Sequence, residues 1–199
     1  MSLEIEKIVL AGRSSHGIHL LGRILAHAGM VEQHEVSWLP PYGPTIMAGD
    51  ATGTVIVSSA EVGSPVVEVP DALVALNLEA FERFNRRLKA GGLVLWDTSE
   101  VRVEEKHIRD DVRSIGVPST ELAPPEPGLL TPVLSLLGAY VACSKMVGLD
   151  AAVEGLKEVL KDQPGADLKV CRRALERGAA FVRDKKYMFS RYRYSIFTG

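Results

Sequence analysis

Cysteine is scarce: only Cys143 and Cys171 occur in 199 residues, far apart and in no CxxC spacing. That excludes a disulfide framework and argues against a zinc or four-cysteine iron–sulfur site held by this chain alone. Excess charge of one sign is lacking too. With 23 Lys and Arg against 25 Asp and Glu, the net charge of -2 gives no general attraction to nucleic acid or an anionic membrane. No apolar run is long enough to cross a bilayer, and no basic segment precedes an apolar core at the amino end. The expectation is a cytoplasmic protein with no nucleic-acid or membrane partner. Internal repeats and low-complexity segments are missing as well. What is present is an apolar fraction of 46%, enough to fill the core of one α/β domain.

Hydrophobic patterning predicts alternating strands and helices. Strands are expected at 5–11, 35–39, 54–58, 72–76 and 93–97, with a further short one at 66–69. Helical spacing runs over 15–29, where Ile18, Leu21, Leu25 and Ala28 recur every three or four residues and Gly29 is the expected carboxyl-terminal cap. Another helix is expected at 78–89, broken by Gly91-Gly92. The second half reads as an ordered proline-rich crossing loop at 117–128, an apolar helix at 129–147 stopped by Gly148, a helix at 151–161 capped by Asp150, and an amphipathic helix at 166–186. The fold class implied is α/β: a three-layer α/β/α arrangement with a mostly parallel sheet, followed by C-terminal helices. One domain is expected over 1–182, with a tail at 183–199.

The stretch "AGRSSHGIHLLG", residues 11–22, places a glycine-bearing turn between the first strand and the first helix. A dinucleotide fingerprint needs GxGxxG with an acidic residue at the end of the second strand. Here Gly12 and Gly17 fill the outer places, but Ser14 holds the middle one, and the second strand ends in "SWLPP". A Walker loop needs a lysine that this turn lacks. What remains is a helix amino end whose free amides near Ser14, Ser15 and His16 can take an anion.

The same stretch, extended to "AGRSSHGIHLLGRILAHAGM" and followed by "VSWLPPYGPTIMAGDATGTVIVSSAEVGSPVV", resembles the gamma subunit of 2-oxoacid:ferredoxin oxidoreductases. That family carries an AGxGGQG turn and a later SYGPExRGG segment. "PDALVALNLEAFERFNRRLKAGGLVLWDTS", "LLGAYVACSKMVGLDAAVEGLKEVLKD" and "LKVCRRALERGAAF" are similar to its later elements, so the likeness runs from Ile8 to about Phe181. Two departures stand out: Ser14-Ser15-His16-Gly17 replaces GGQG, and Met47-Ala48-Gly49 replaces RGG. The resemblance implies a complex that decarboxylates a 2-oxoacid oxidatively on thiamine diphosphate. Its iron–sulfur clusters pass electrons to ferredoxin, and the acyl group goes to coenzyme A. It also implies alpha, beta and delta-type partner subunits. The gamma subunit would support the coenzyme A region, with no catalytic and no metal-ligating residue of its own and no cofactor held securely by this chain. Two other readings stay open: a free-standing nucleotide- or anion-binding α/β module, and a purely structural subunit.

The candidate cofactor-contacting residues are Gly12, Arg13, Ser14, Ser15, His16 and Gly17 in the first turn, and Tyr42, Gly43, Pro44 and Thr45 in the loop after the second strand. Each has a plainer reading. Ser14 or Ser15 beside His16 suggests a nucleophile and base, yet adjacent residues seldom face each other and turn capping suffices. His16, His19 and His27 share a helix face, but no carboxylate or cysteine completes a metal set. Tyr42 serves equally as the packed side chain of a rigid turn. Cys143, Cys171, Trp38 and Trp96 read as core or interface residues. The tail "RDKKYMFSRYRYSIF" interleaves aromatics with basic residues, as single-strand nucleic-acid binders do. The rest of the chain offers no basic surface, so docking on a partner subunit, or on a second copy in a homo-oligomer of the isolated chain, is expected instead.

Overall fold

The computed structural model describes residues 4–13, 15–42, 51–126, 130–163 and 165–184. The first strand, β1 (Ile5–Gly12), leads into α1 (Ser15–Val31) and the edge strand β2 (Glu35–Leu39). Then come β3 (Ala51–Ser58), β4 (Ala72–Ala75), α2 (Leu78–Asn85) and β5 (Leu93–Asp97). A 3-10 turn at Glu105–His107 precedes β6 (Arg113–Val117) and the short α3 (Ser119–Leu122). The chain continues through α4 (Thr131–Val141), α5 (Leu149–Leu160) and α6 (Leu168–Asp184).

The six strands form one sheet in the order β2-β3-β1-β4-β5-β6. β1, β4, β5 and β6 pair in parallel, whereas β3 lies antiparallel between β2 and β1. Five strands therefore run one way and β3 alone runs against them, so the sheet is mostly parallel. Alternation along the strands sends Ile8, Leu10, Val74 and Leu95 into a core shared with α1, α4, α5 and α6. Val9, Leu73, Val94 and Trp96 face a smaller core closed by Phe81 and Phe84 of α2. Both faces are covered, as the three-layer expectation requires.

Several boundaries differ from the sequence reading. Gly29 does not cap α1; it lies within the helix, close enough to β2 that an added Cβ would meet Val36 at 2.7 Å. The helix ends two residues later in a Schellman turn. Gln33 takes the left-handed conformation (φ 61), its N–H bonds Met30 O, and the His34 N–H returns to Gly29 O. Residues 66–69 are not a strand. Arg87 donates to the Val67 and Glu68 carbonyls and holds that segment irregular. α2 ends at Asn85 rather than at 89, and Arg109 donates to the Asn85 and Leu88 carbonyls at that end. The apolar helix of the second half is only Thr131–Val141, because the Ser144 hydroxyl accepts the Met146 and Val147 N–H groups and donates to Glu6, so the turn competes with the helix. Asp150 is not the cap of α5: Gly148 holds that place and Asp150 sits in the first turn. The amphipathic helix begins at Leu168, where Asp167 accepts the Lys169 N–H at 2.7 Å. Two elements were not expected, β6 and α3, which stand at and within the proline-rich segment.

Candidate functional site

The carboxyl ends of β1, β2, β4, β5 and β6 meet on one edge of the sheet, and antiparallel β3 begins there, with Ala51 paired to Gly12. From β1 the chain leaves through α1 toward β2 on one side, while β4, β5 and β6 lie on the other. The crevice between β1 and β4 is thus the topological switch point, where open α/β sheets bind ligands.

The amino ends of three helices, α1, α2 and the short α3, reach this edge, and their electrostatics differ. α2 is closed by Asn77, whose side-chain oxygen accepts the Ala80 N–H at 2.8 Å, and Glu79 in its first turn offsets the helix dipole. α1 has no acid in its first turn, and Arg13 just before it is exposed. α3 carries Glu121 in its first turn, so α1 is the one of the three with no first-turn acid to offset its dipole. Gly12 (φ +157) is demanded by a close approach: a Cβ there would stand 2.6 Å from the Leu76 Cβ. Gly17 is buried in the first turns of α1.

Tyr42 is 90% exposed beyond the end of β2, so it is not the packed side chain of a rigid turn. Ser14, Gly43, Pro44 and Thr45, with the side chains of Ser15 and His16, lie outside the described residues, as does the Met47-Ala48-Gly49 departure. His19 is exposed and meets Trp38 edge-on, with ring centroids 6.1 Å apart. No group of three His, Cys, Asp or Glu side chains able to hold a metal occurs among the described residues.

The sequence reading passed over one polar pair at this edge. Asp97, at the end of β5, accepts the Ser99 N–H at 2.9 Å and the hydroxyl of buried Ser119. Both carboxylate oxygens are thereby used, and the pair ties the ends of β5 and β6 together. The only signal was the "DTS" of an Asx turn. The two cysteines stay apart: Cys171 is buried on α6, and Cys143 is half-buried beyond α4. Burial pushes both thiols up, which keeps them protonated and poor as ligands or nucleophiles at neutral pH. Two such thiols do not fit an iron–sulfur cluster.

A mostly parallel six-stranded sheet covered by helices on both faces defines a three-layer α/β/α class. Residues 7–181 match the pyruvate ferredoxin/flavodoxin oxidoreductase family, and the chain belongs to that family. Among curated relatives, ketoisovalerate oxidoreductase subunit VorA of Methanothermobacter marburgensis is 34% identical over 144 residues, covering 72% of this chain and 29% of that protein. The 2-oxoglutarate synthase subunit KorC of Methanocaldococcus jannaschii is 29% identical over 165 residues, covering 77% of this chain and 87% of that protein. This chain thus spans less than a third of the first relative and most of the second. Two solved structures share the fold. The gamma subunit of a keto/oxoacid ferredoxin oxidoreductase from Geobacter sulfurreducens superposes with a TM-score of 0.74 at 24% identity, covering 91% of this chain and 98% of that one. The 2-oxoglutarate:ferredoxin oxidoreductase of Magnetococcus marinus, with 2-oxoglutarate, coenzyme A and succinyl-CoA bound, superposes with a TM-score of 0.75 at 20% identity, covering 92% of this chain and 32% of that one.

Proposed function

We propose that this chain is an accessory, gamma-type subunit of a 2-oxoacid:ferredoxin oxidoreductase, and that its carboxyl edge faces the coenzyme A region of the complex. The observation that carries the reading is the family match through 7–181, spanning the first turn and every described strand but the start of β1. KorC, a named subunit of nearly the same extent, supports the accessory role.

Coenzyme A would supply the thiol that takes the acyl group. In this chain, the exposed Arg13 and the amino end of α1, which carries no first-turn acid, suit its phosphates, with Gly12, Ser14, Ser15, His16 and Gly17 as the candidate contacts in sequence. Tyr42, nearly fully exposed, offers a ring for contact, with Gly43, Pro44 and Thr45 beside it in sequence. Thiamine diphosphate and the clusters belong to other subunits in this reading, of alpha, beta and delta type. No helix of the described residues is long and apolar enough to cross a membrane. A cytoplasmic setting, absence of nucleic-acid contact, and a domain over 1–182 with a docking tail at 183–199 are parts of the same proposal.

The full chain titrated calorimetrically should bind coenzyme A, or phosphate weakly, in preference to NAD. Supplied with thiamine diphosphate and an electron acceptor, it should show no 2-oxoacid oxidation alone. Tight NAD binding would instead favour a free-standing nucleotide module, and turnover by the lone chain would refute the accessory role.

A further inference from the structure

Trp38 occupies a slot that two glycines keep open. It lies on β2 opposite Val55 of β3, with its indole on the face covered by α1. A Cβ added to Gly22 of α1 would stand 2.1 Å from the indole Cη2, and one added to Gly53 of β3 would stand 2.6 Å from the same atom. Gly53 sits two residues into β3, near the carboxyl edge, and its Cβ position is also 3.2 Å from Ile18 in the first turns of α1. His19 adds a T-shaped ring contact to the half-buried indole, with centroids 6.1 Å apart. One aromatic side chain therefore links three elements on the β2 side of the edge: α1 through His19 and Gly22, β3 near its start through Gly53, and the end of β2 that carries it. Neither glycine has a positive φ, so the room they leave for the indole is what their missing side chains provide.

Resting on the reading above, we propose that Trp38 is the positioning residue of the coenzyme A-facing edge. It fixes the distance between the amino end of α1, with Arg13 and Gly12, and the end of β2, where Tyr42 stands. It does so as a wedge rather than through contact with ligand. Loss of the wedge lets α1 settle toward the sheet and misplaces both contacting regions together. The reacting atoms lie on other subunits, so the effect falls on coenzyme A affinity and leaves the chemical step alone.

The test uses the intact complex, purified through a tag on this chain. It is assayed for 2-oxoacid-dependent dye reduction against coenzyme A concentration, with pyruvate, 2-oxoisovalerate and 2-oxoglutarate as substrates. W38L should raise the KM for coenzyme A about tenfold with kcat within about twofold of wild type, and W38F should recover most of the loss. G22A, which drives a methyl into the indole, should raise KM likewise, and the W38L/G22A double variant should lose much less than the sum, because the clash is gone. If W38L fails to assemble, H19A decides: it removes an exposed ring contact and should raise KM about threefold at an unchanged melting temperature. Unchanged KM in the assembled W38L or, failing that, in H19A overturns the inference, as does a KM rise that W38F does not relieve. Failure of the underlying reading looks different: the wild-type chain then brings down no complex with coenzyme A-dependent activity.

Discussion

At the residue scale, the most demanding positions are glycines whose role is space. A Cβ on Gly138 of α4 would lie 1.9 Å from the Leu175 carbonyl oxygen, and one on Gly178 of α6 would lie 1.8 Å from that of Ser135. The two helices touch backbone to backbone, so neither can give way as a side chain would. G138A or G178A should cost about 3 kcal/mol, the upper range for overpacking, read as a lower urea midpoint. G63A, where nothing lies within 4 Å, should change the midpoint little. Gln33 is the converse case, a side chain at φ 61 where glycine is at ease. Q33G should stabilise by roughly 0.5–1 kcal/mol. These features were illegible beforehand: the sequence names the glycines, but only the packing tells which one meets a neighbouring backbone.

Tyr140 makes stability pH-dependent at the same scale. Complete burial pushes its phenol well above the usual value, and the Glu6 carboxylate acts in the same direction. In the unfolded chain the phenol ionises near pH 10, whereas the folded chain keeps its proton. The unfolded state therefore binds fewer protons above that pH, and stability falls as pH rises through 10. Melting temperatures of the wild type between pH 8 and 10.5 should decline more steeply than those of Y140F.

At the element scale, long periodic segments were legible and short ones were not. β1, β2 and β5 appear where alternation and β-branched runs put them: β1 and β5 are buried under neighbouring helices, and the edge strand β2 packs half-buried Val36 and Trp38 on the main core. β6 was missed: five residues beginning with Arg113 and including Gly116 carry no distinctive pattern, and only pairing with β5 makes them a strand. α1 ends in its own Schellman turn, whereas other helix ends meet groups from elsewhere, such as Ser144 beyond α4 reaching Glu6 and Arg109 reaching the Asn85 and Leu88 carbonyls. The caps are testable. D167A removes the acceptor for the Lys169 and Val170 N–H groups and should cost about 1 kcal/mol; N77A should do the same at α2.

At the scale of the whole molecule, the candidate site was legible as a place rather than as a set of contacts. The strand, glycine-bearing turn and helix of residues 5–31 pointed to the carboxyl edge, and Tyr42 stands exposed at that same edge. The Asp97–Ser119 tie and the Trp38 wedge were hidden, since each joins residues that only the sheet order brings together. The described core is complete by Val182, which packs on the main apolar cluster with Phe181. The five aromatics of the tail lie outside the described residues. Truncation after Arg183 should leave the melting temperature of the isolated chain nearly unchanged and shift its sedimentation, and its capture of partners, toward smaller species. An unaltered oligomeric state would remove the docking role of the tail.

The central claim is that this chain works as a subunit within a 2-oxoacid-oxidising complex. The most direct measurement is to purify the native complex through a tag on this chain, identify the polypeptides that come with it, and assay the preparation. The account predicts stoichiometric partners that carry thiamine diphosphate and iron–sulfur clusters, and coenzyme A-dependent reduction of ferredoxin by a 2-oxoacid. A chain that purifies alone, or with partners that hold neither cofactor and oxidise no 2-oxoacid, would contradict it.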